Sequence, residues 1–184
     1  MLSKLKNKTD RIFLRPAVML TSIGITPNLV STVGFLIGVL AGVTLSIGSF
    51  TFGGILILFT GLADILDGVM ARSAQMASIS GGVIDSIFDR YVDSIILLGL
   101  GLGGVNWFYV GLALMGSLLV SYTRAKGESV GVEGCDVGIA ERSERLIILA
   151  GGALLGLAAP AVIVVAVLSN LTAVWRVIYI VKRM

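Results

Sequence analysis

Three long stretches of the 184-residue chain contain no Asp, Glu, Lys or Arg; they cover residues 16–63, 94–123 and 146–175. Each stretch is long enough for one membrane-spanning helix of about 20 residues and at least part of a second one. Only 14% of the residues are charged, whereas an ordinary soluble domain has about 25%, and the mean hydropathy is +0.99. We therefore expect an all-α, polytopic membrane protein.

Turn-forming segments divide the apolar sequence into six predicted transmembrane helices. The turns are expected at Gly48-Ser49, 73–78, Gly103-Gly104, 127–140 and Ala159-Pro160. The predicted helices cover, to within a few residues, 28–48, 51–72, 79–103, 105–126, 142–158 and 161–182. Together they form one predicted transmembrane domain over residues 21–184. A separate segment over residues 1–20 precedes this domain.

The segment 1–20 is basic and amphipathic. Its positive charges are Lys4, Lys6, Lys8, Arg11 and Arg15, and its apolar side chains include Leu5, Phe13 and Leu20. Because no small-residue cleavage pattern follows, a cleavable signal peptide is not expected. We expect a juxtamembrane amphipathic helix along an anionic membrane surface, and the alternative is a frayed basic tail.

The distribution of Lys and Arg predicts the orientation in the membrane. The links between the first and second, third and fourth, and fifth and sixth predicted helices contain neither residue. Basic residues cluster instead in the amino-terminal segment, around residues 124–145 and at the carboxy terminus. By the positive-inside rule, both termini and the active site are expected on the cytoplasmic face of the cell membrane.

Four carboxylates interrupt the apolar sequence within one window of 26 residues: Asp64, Asp67, Asp85 and Asp89. A carboxylate at the centre of a membrane helix costs about 2.5–3.5 kcal/mol on insertion scales, so four together require a compensating cation. An antiparallel hairpin that turns near Met76 would set Asp67 level with Asp85 and Asp64 level with Asp89. The chain has no His, and such a box of oxygen donors suits one or two hard divalent cations.

Glycines accompany both the acidic residues and the first predicted helix. Gly68 directly follows an aspartate, and Gly81 lies one turn before another, so a phosphate could approach the backbone there. Gly34, Gly38 and Gly42 recur every four residues, a spacing that lets membrane helices approach closely. The sequence leaves open whether this glycine stripe makes an internal contact or a dimer contact.

The acidic window resembles the signature of the CDP-alcohol phosphotransferase family, Asp-x-x-Asp-Gly-x-x-Ala-Arg-x8-Gly-x-x-x-Asp-x-x-x-Asp. The matching residues are Asp64, Asp67, Gly68, Ala71, Arg72, Gly81, Asp85 and Asp89. The resemblance implies six transmembrane helices after a juxtamembrane amphipathic helix, and a homodimer. It also implies transfer of a phosphatidyl group from a CDP-linked lipid to an alcohol, with release of CMP.

The resemblance further implies roles for individual residues. Two divalent ions, Mg²⁺ or Mn²⁺, are expected at Asp64, Asp67, Asp85 and Asp89, and Asp89 is also the expected general base. The residues expected to bind the CDP-lipid are Asn28, Ser31, Asp64, Asp67, Gly68, Ala71, Arg72, Ser78 and Gly81. From the residues alone, Asp93, one turn beyond Asp89, is expected to pair with Arg90, and the alternative is that it supports the metal ligands from behind.

Cations near the carboxy-terminal half predict an acceptor that carries a phosphate, and the alternative is that they only anchor the cytoplasmic side of the helices. They are Arg124, Lys126, Arg142, Arg145 and Arg176, and Arg176 interrupts an apolar helix, so it should face a polar cavity. The segments around residues 121–126 and 141–145 resemble the phosphatidylinositol-phosphate synthase branch of the family. That resemblance implies inositol 1-phosphate as acceptor, held by Arg124, Arg142 and Arg176, and either CDP-diacylglycerol or CDP-archaeol as donor.

Two alternatives remain at this stage. An enzyme of the same family could use glycerol 3-phosphate or another alcohol, although the Glu-Arg-Ser-Glu-Arg segment at 141–145 argues against it. A cation carrier could use the aspartates as its transport site, but their position near one membrane face argues against a path through the protein. No nucleic-acid partner is expected, and the role of the single Cys135 is open.

Overall fold

The computed structural model describes residues 6–73 and 78–184, and their side chains from residue 12 onward. These residues form helices and connecting turns and contain no strand, which confirms the all-α prediction. The helices are α1 (Lys6–Ser22), α2 (Pro27–Ser46), α3 (Phe50–Ser73), α4 (Ile79–Leu102), α5 (Trp107–Ser129), α6 (Arg142–Leu154) and α7 (Ala158–Val181). The predicted turn at Met76 lies outside the described residues.

The helices α2, α3, α5 and α7 are long and apolar enough to cross a membrane. Helix α4 has 24 residues but contains charged side chains, and α6 has only 13 residues. Large apolar side chains cover much of the outer surface, among them Leu36, Phe52, Trp107, Phe108 and Trp175. A surface of this kind is stable against lipid rather than water, so the protein is a membrane protein.

Side-chain caps explain where several helices begin. The side chain of Thr26 accepts a hydrogen bond from the backbone N–H of Leu29 at the start of α2, and Asn106 accepts one from Phe108 at the start of α5. Each of these bonds satisfies a backbone donor that has no partner within its helix. The helix starts are therefore encoded locally.

The break between the last two helices lies earlier than the sequence predicted. Helix α6 ends at Leu154 and α7 already begins at Ala158, with Gly156 at φ +70° in the turn between them. The sequence analysis placed the break at Pro160, but proline is tolerated in the first turn of a helix, where no backbone donor is lost. The glycine, which adopts the left-handed conformation readily, marks the actual turn.

The glycine stripe of α2 makes internal contacts. A Cβ atom on Gly34 would lie 2.8 Å from the Cβ of Ala63 in α3, and one on Gly38 would lie 2.6 Å from Cγ1 of Val92 in α4. A Cβ atom on Gly42 would collide with Ile95, which is also in α4. Helix α2 therefore packs closely against both helices that carry the aspartates.

Helix α1 lies against α3. Its Ala17 is fully buried with Val69 and Met70 of α3, whereas Ile12 and Met19 are exposed. The predicted juxtamembrane segment is thus helical from Lys6 onward. One face of this helix packs on the bundle, and another face exposes apolar side chains.

Candidate active site

Helices α3 and α4 bring three aspartates together. Carboxylate oxygens of Asp64, Asp67 and Asp85 all lie within 4.8 Å of one another, a spacing that could hold a metal ion. Asp67 is buried and its Oδ2 accepts a hydrogen bond from Ser31 Oγ at 2.5 Å. Three carboxylates this close repel one another, and a hard divalent cation with a preference for oxygen ligands removes that repulsion.

The fourth aspartate of the motif contacts an arginine. Nη1 of Arg142 lies 3.0 Å from Asp89 Oδ1 and 2.9 Å from Asp64 Oδ2. This buried atom has no hydrogen bond aligned with either carboxylate, so the two contacts are ionic. Asp64 and Asp89 thus meet at one guanidinium, as the hairpin register predicted, and Arg142 offsets part of their charge.

Asp93 belongs to the same network, and its expected pairing with Arg90 is wrong. Asp93 Oδ2 accepts a hydrogen bond from Nη2 of Arg145 at 2.6 Å, and Oδ1 accepts one from Nε of Arg142 at 3.4 Å. Arg90 instead donates to the Ser86 carbonyl at 2.6 Å. The partners lie on α6, and Arg142 and Arg145 are one helical turn apart, so both can reach the buried face of α4.

A polar cavity of about 230 Å³ opens beside this network, between α4, α5, α6 and α7. It contains all three arginines that were predicted to bind the acceptor phosphate. Its walls are formed by Asp64, Asp89, Arg90, Asp93, Val120, Ser121, Arg124, Glu141, Arg142, Ser143, Arg145 and Arg176. We call it the arginine cavity. The positive charges of its arginines slightly outnumber the negative charges of its carboxylates, so a bound anion would meet a weakly positive surface.

The predicted acceptor arginines differ in their partners. Arg176 is buried and donates to the carbonyls of Val137 and Val120, each at 2.7 Å. Arg124 is half-exposed and forms an ion pair with Glu128 at 2.9 Å. Arg176 therefore holds the loop after α5 in place as well as lining the cavity, whereas the contact of Arg124 with Glu128 lies on the surface.

Glu141 precedes α6 at the edge of the arginine cavity. Burial and the nearby Glu144 carboxylate raise the pKa of Glu141 above its usual range. The carboxyl oxygens of Glu141 can accept a hydrogen bond from a hydroxyl of a bound molecule.

A second cavity, of about 130 Å³, lies at the beginnings of α2 and α4. We call it the glycine cavity. Its walls are formed by Pro27, Asn28, Ser31, Asp67, Gly68, Ala71, Ser78, Gly81, Gly82 and Asp85. These include every residue predicted to bind the CDP-lipid except Asp64 and Arg72.

The remaining two residues lie next to the glycine cavity. A Cβ atom on Gly68 would be 3.2 Å from Nη1 of Arg72, so the guanidinium folds back over this glycine. Asp64 lines a gap of about 10 Å³ between the two cavities. The gap shares Ser31, Asp67 and Asp85 with the glycine cavity, and Asp89 and Arg142 with the arginine cavity. The aspartates therefore separate the glycine cavity from the arginine cavity.

Gly81 is required by its surroundings. A Cβ atom at this position would lie 2.8 Å from Asn28 Oδ1 and 2.8 Å from Ser78 Oγ. Ser78 caps α4 by accepting a hydrogen bond from the backbone N–H of Gly81 at 3.0 Å. The absent side chain thus lets the first turns of α2 and α4 meet, and helix amino termini favour anions.

An apolar cavity of about 230 Å³ adjoins Asp64. It lies between α3 and α6 and is lined by Ile57, Leu58, Gly61, Leu62, Asp64, Ile65, Ser143, Leu146 and Ile147. A molecule with an alkyl chain here would have its polar end at Asp64.

Several residues that line the site were not predicted, chiefly Asp93, Ser121, Glu141 and Ser143. Arg145 was counted among the cations but was given no place in the acceptor pocket. Helical spacing was the available signal, because Asp93 follows Asp89 by four residues and Arg145 follows Arg142 by three.

Comparison with known proteins agrees with this geometry. The family model described as CDP-alcohol phosphatidyltransferase matches residues 24–134. The archaetidylinositol phosphate synthase of Pyrococcus horikoshii is 40% identical over 185 residues, which cover 100% of this chain and 98% of that protein.

Solved structures with the same fold carry ligands. The phosphatidylinositol phosphate synthase of Mycobacterium tuberculosis in complex with manganese and citrate matches with a TM-score of 0.82 and 29% identity, over 91% of this chain and 88% of that one. Its structure with CDP-DAG bound matches with a TM-score of 0.80 and 29% identity, over 92% and 94%.

Proposed function

Because this chain belongs to the CDP-alcohol phosphatidyltransferase family, we propose that it transfers the phosphatidyl or archaetidyl group of a CDP-linked lipid to inositol 1-phosphate and releases CMP. One observation carries the proposal: the aspartates lie between a cavity at two helix amino termini and a cavity lined by arginines. A transferase needs such an arrangement, since donor and acceptor must meet at one reacting atom.

The glycine cavity is the proposed site of the CDP diphosphate. The amino termini of α2 and α4 present backbone N–H groups to an anion, and Gly68 and Gly81 leave the backbone accessible. Arg72, beside Gly68, is placed to contact a phosphate oxygen. A related protein of the same fold has CDP-DAG bound, which supports this assignment.

The aspartates are the proposed metal site, and their chemistry fits a hard divalent cation. Asp64, Asp67 and Asp85 would hold Mg²⁺ or Mn²⁺, with Asp89 completing a site for two ions. When bound, the ions would neutralise charge on the diphosphate and on the departing CMP. The related structure with manganese supports the choice of metal.

Asp89 is the proposed general base. It lines the arginine cavity and the gap toward the glycine cavity, so it lies where an acceptor hydroxyl would approach the donor phosphorus. The hydroxyl oxygen forms a bond to the lipid-bearing phosphorus, the bond from that phosphorus to CMP breaks, and the proton passes to the Asp89 carboxylate. Positioned general bases contribute about 10²–10⁴-fold to rate.

The arginine cavity is the proposed acceptor site. Arg124, Arg142 and Arg176 line it, and Arg145 adds a fourth guanidinium that can face a phosphate. The polar wall also contains Ser121 and Glu141, whose oxygens suit the hydroxyls of a polyol.

We propose archaeol rather than diacylglycerol as the lipid of the donor. The relative that matches the whole chain is an archaetidylinositol phosphate synthase. The apolar cavity between α3 and α6, which ends at Asp64, is placed to take one chain of this lipid.

The proposed arrangement in the membrane has six transmembrane helices, α2 to α7, with α1 as a juxtamembrane helix preceding them. Helix α4 would be tolerated in the bilayer because its charged side chains face the bundle and the cavities. The links α2–α3, α4–α5 and α6–α7 contain no Lys or Arg, which supports cytoplasmic termini and a cytoplasmic active site. A homodimer is part of the proposal.

The test is acceptor-dependent release of CMP by purified protein in detergent. CDP-archaeol and CDP-diacylglycerol are each supplied with Mg²⁺ and with one acceptor at a time: inositol 1-phosphate, glycerol 3-phosphate or free inositol. We expect fast CMP release only with inositol 1-phosphate, and its loss on addition of EDTA. Preference for glycerol 3-phosphate would contradict the acceptor, and ion flux in liposomes without CMP release would contradict the enzyme.

A further inference from the structure

Asp93 has no part in the proposed transfer, yet it is a buried carboxylate on the wall of the arginine cavity. Its two oxygens serve two different arginines: Oδ2 accepts from Nη2 of Arg145 at 2.6 Å and Oδ1 accepts from Nε of Arg142 at 3.4 Å. Burying a charge in this way is costly and does not by itself stabilise a fold. What Asp93 does for the protein therefore lies in its contacts with these two arginines.

The contacts fix the guanidinium of Arg145 at two points. Nη2 is held by Asp93, and Nη1 donates to the carbonyl of Ala140 at 2.9 Å. An arginine has a long flexible side chain, and hydrogen bonds from two of its nitrogens to two fixed acceptors select one orientation of its planar group. With Asp93 in place, the side chain of Arg145 is only 4% exposed and forms a rigid part of the cavity wall.

Asp93 also acts on Arg142, which touches two residues of the reaction site. Nη1 of Arg142 lies at Asp64 and Asp89, while Asp93 holds the Nε edge. Without that edge contact, only the two aspartates of the motif would orient the guanidinium.

We infer that Asp93 is a positioning residue, which holds the guanidinium groups of Arg142 and Arg145 in the orientation that binds the phosphate of the acceptor. The inference rests on the proposed function. Both carboxylate oxygens of Asp93 already accept from arginines, so it acts through them, on the side of the aspartate network away from the glycine cavity.

The test is Asp93→Asn, which keeps the shape of the side chain and removes its charge. We expect the KM for inositol 1-phosphate to rise about tenfold to a hundredfold, as for the loss of one charge-assisted hydrogen bond. The kcat at saturating acceptor and the KM for the CDP-lipid should stay within about twofold of the wild type. Glu133→Gln, an exposed carboxylate on the loop after α5, is the control for the lost negative charge.

The direction of the change discriminates between explanations. If Asp93 only reduced the positive charge of the cavity, Asp93→Asn would bind a phosphate better and the KM for inositol 1-phosphate would fall. If it were only a packing residue, the melting temperature or kcat would fall without a selective change in acceptor KM. Either result would overturn the inference.

Arg145→Lys covers the case in which Asp93→Asn does not fold. Lysine keeps the charge beside Asp93 but cannot bridge Asp93 and the Ala140 carbonyl with a planar fork. The same selective rise in acceptor KM is expected, and an unchanged KM would refute the positioning role. Transfer to inositol 1-phosphate by the wild type is measured alongside. If the wild type shows no transfer, the proposed function itself is overturned. If the wild type transfers and the variant has an unchanged acceptor KM, only the role of Asp93 is overturned.

Discussion

Gly81→Ala is expected to weaken the CDP-lipid site selectively. The added Cβ atom would lie 2.8 Å from both Asn28 Oδ1 and Ser78 Oγ, about 0.6 Å inside the 3.4 Å of ordinary van der Waals contact. Moving Ser78 Oγ by that amount would stretch its 3.0 Å hydrogen bond to the Gly81 N–H beyond a useful length. Loss of such a helix cap costs about 1 kcal/mol.

The effect on catalysis should exceed the effect on stability. A misplacement of 1 Å in a reacting geometry costs about 100-fold, so a shift of roughly half that size predicts about a tenfold loss in kcat/KM for the CDP-lipid. The KM for inositol 1-phosphate should not change, because the arginine cavity contains none of the displaced atoms.

The assay is CMP release at varied CDP-lipid and saturating inositol 1-phosphate. Gly111→Ala in α5, where a new Cβ atom would meet nothing within 4 Å, is the matched control and should resemble the wild type. If Gly81→Ala kept the wild-type kcat/KM for the CDP-lipid, the first turn of α4 would not contact the nucleotide, and the assignment of the glycine cavity would be refuted.

Three further variants test other parts of the account. Asp85→Asn removes one ligand and should weaken Mn²⁺ binding by more than about 100-fold in calorimetry; unchanged affinity would place the metal elsewhere. Arg142→Ala should raise the KM for the acceptor about tenfold or more while CDP-lipid binding, measured separately, stays intact; loss of nucleotide binding would refute its assignment. Gly38→Ala should lower the stability in detergent by about 1–3 kcal/mol, because its Cβ would lie 2.6 Å from Val92, and an unchanged melting temperature would contradict the close approach of α2 and α4.

The sequence predicts most of the helical framework because its signals are local. Charge-free stretches and turn glycines such as Gly48 and Gly103 lie within or beside the helices that they define. The error at Pro160 has the same origin, since a proline can either end a helix or occupy its first turn. In the structure the turn lies at Gly156, whose φ is +70°, and Pro160 lies in the first turn of α7.

The contacts of the glycine stripe could not be predicted in the same way. Spacing every four residues shows that Gly34, Gly38 and Gly42 permit a close approach, but it does not identify the helix that approaches. The partners Val92 and Ile95 are about fifty residues away in sequence and meet the stripe only in the folded bundle.

The aspartate motif was predictable because helical spacing sets which side chains share a face. The partner of Asp93 was not, because Arg142 and Arg145 are 49 and 52 residues away along the chain. Local spacing favoured Arg90, three residues before Asp93, although that side chain points toward the preceding turn of α4. A buried charge selects its partner by tertiary position, which sequence spacing does not contain.

In the proposed reaction, the aspartates join a CDP-lipid to an acceptor whose phosphate is held by arginines. The most direct measurement is a competition in which CDP-archaeol, Mg²⁺ and equal concentrations of inositol 1-phosphate, glycerol 3-phosphate and free inositol are supplied together. Mass spectrometry of the lipid product is compared with the amount of CMP released. We predict one product, archaetidylinositol phosphate, in equal amount to CMP; a glycerophosphate lipid, a lipid made from free inositol, or CMP without a lipid product would contradict the account.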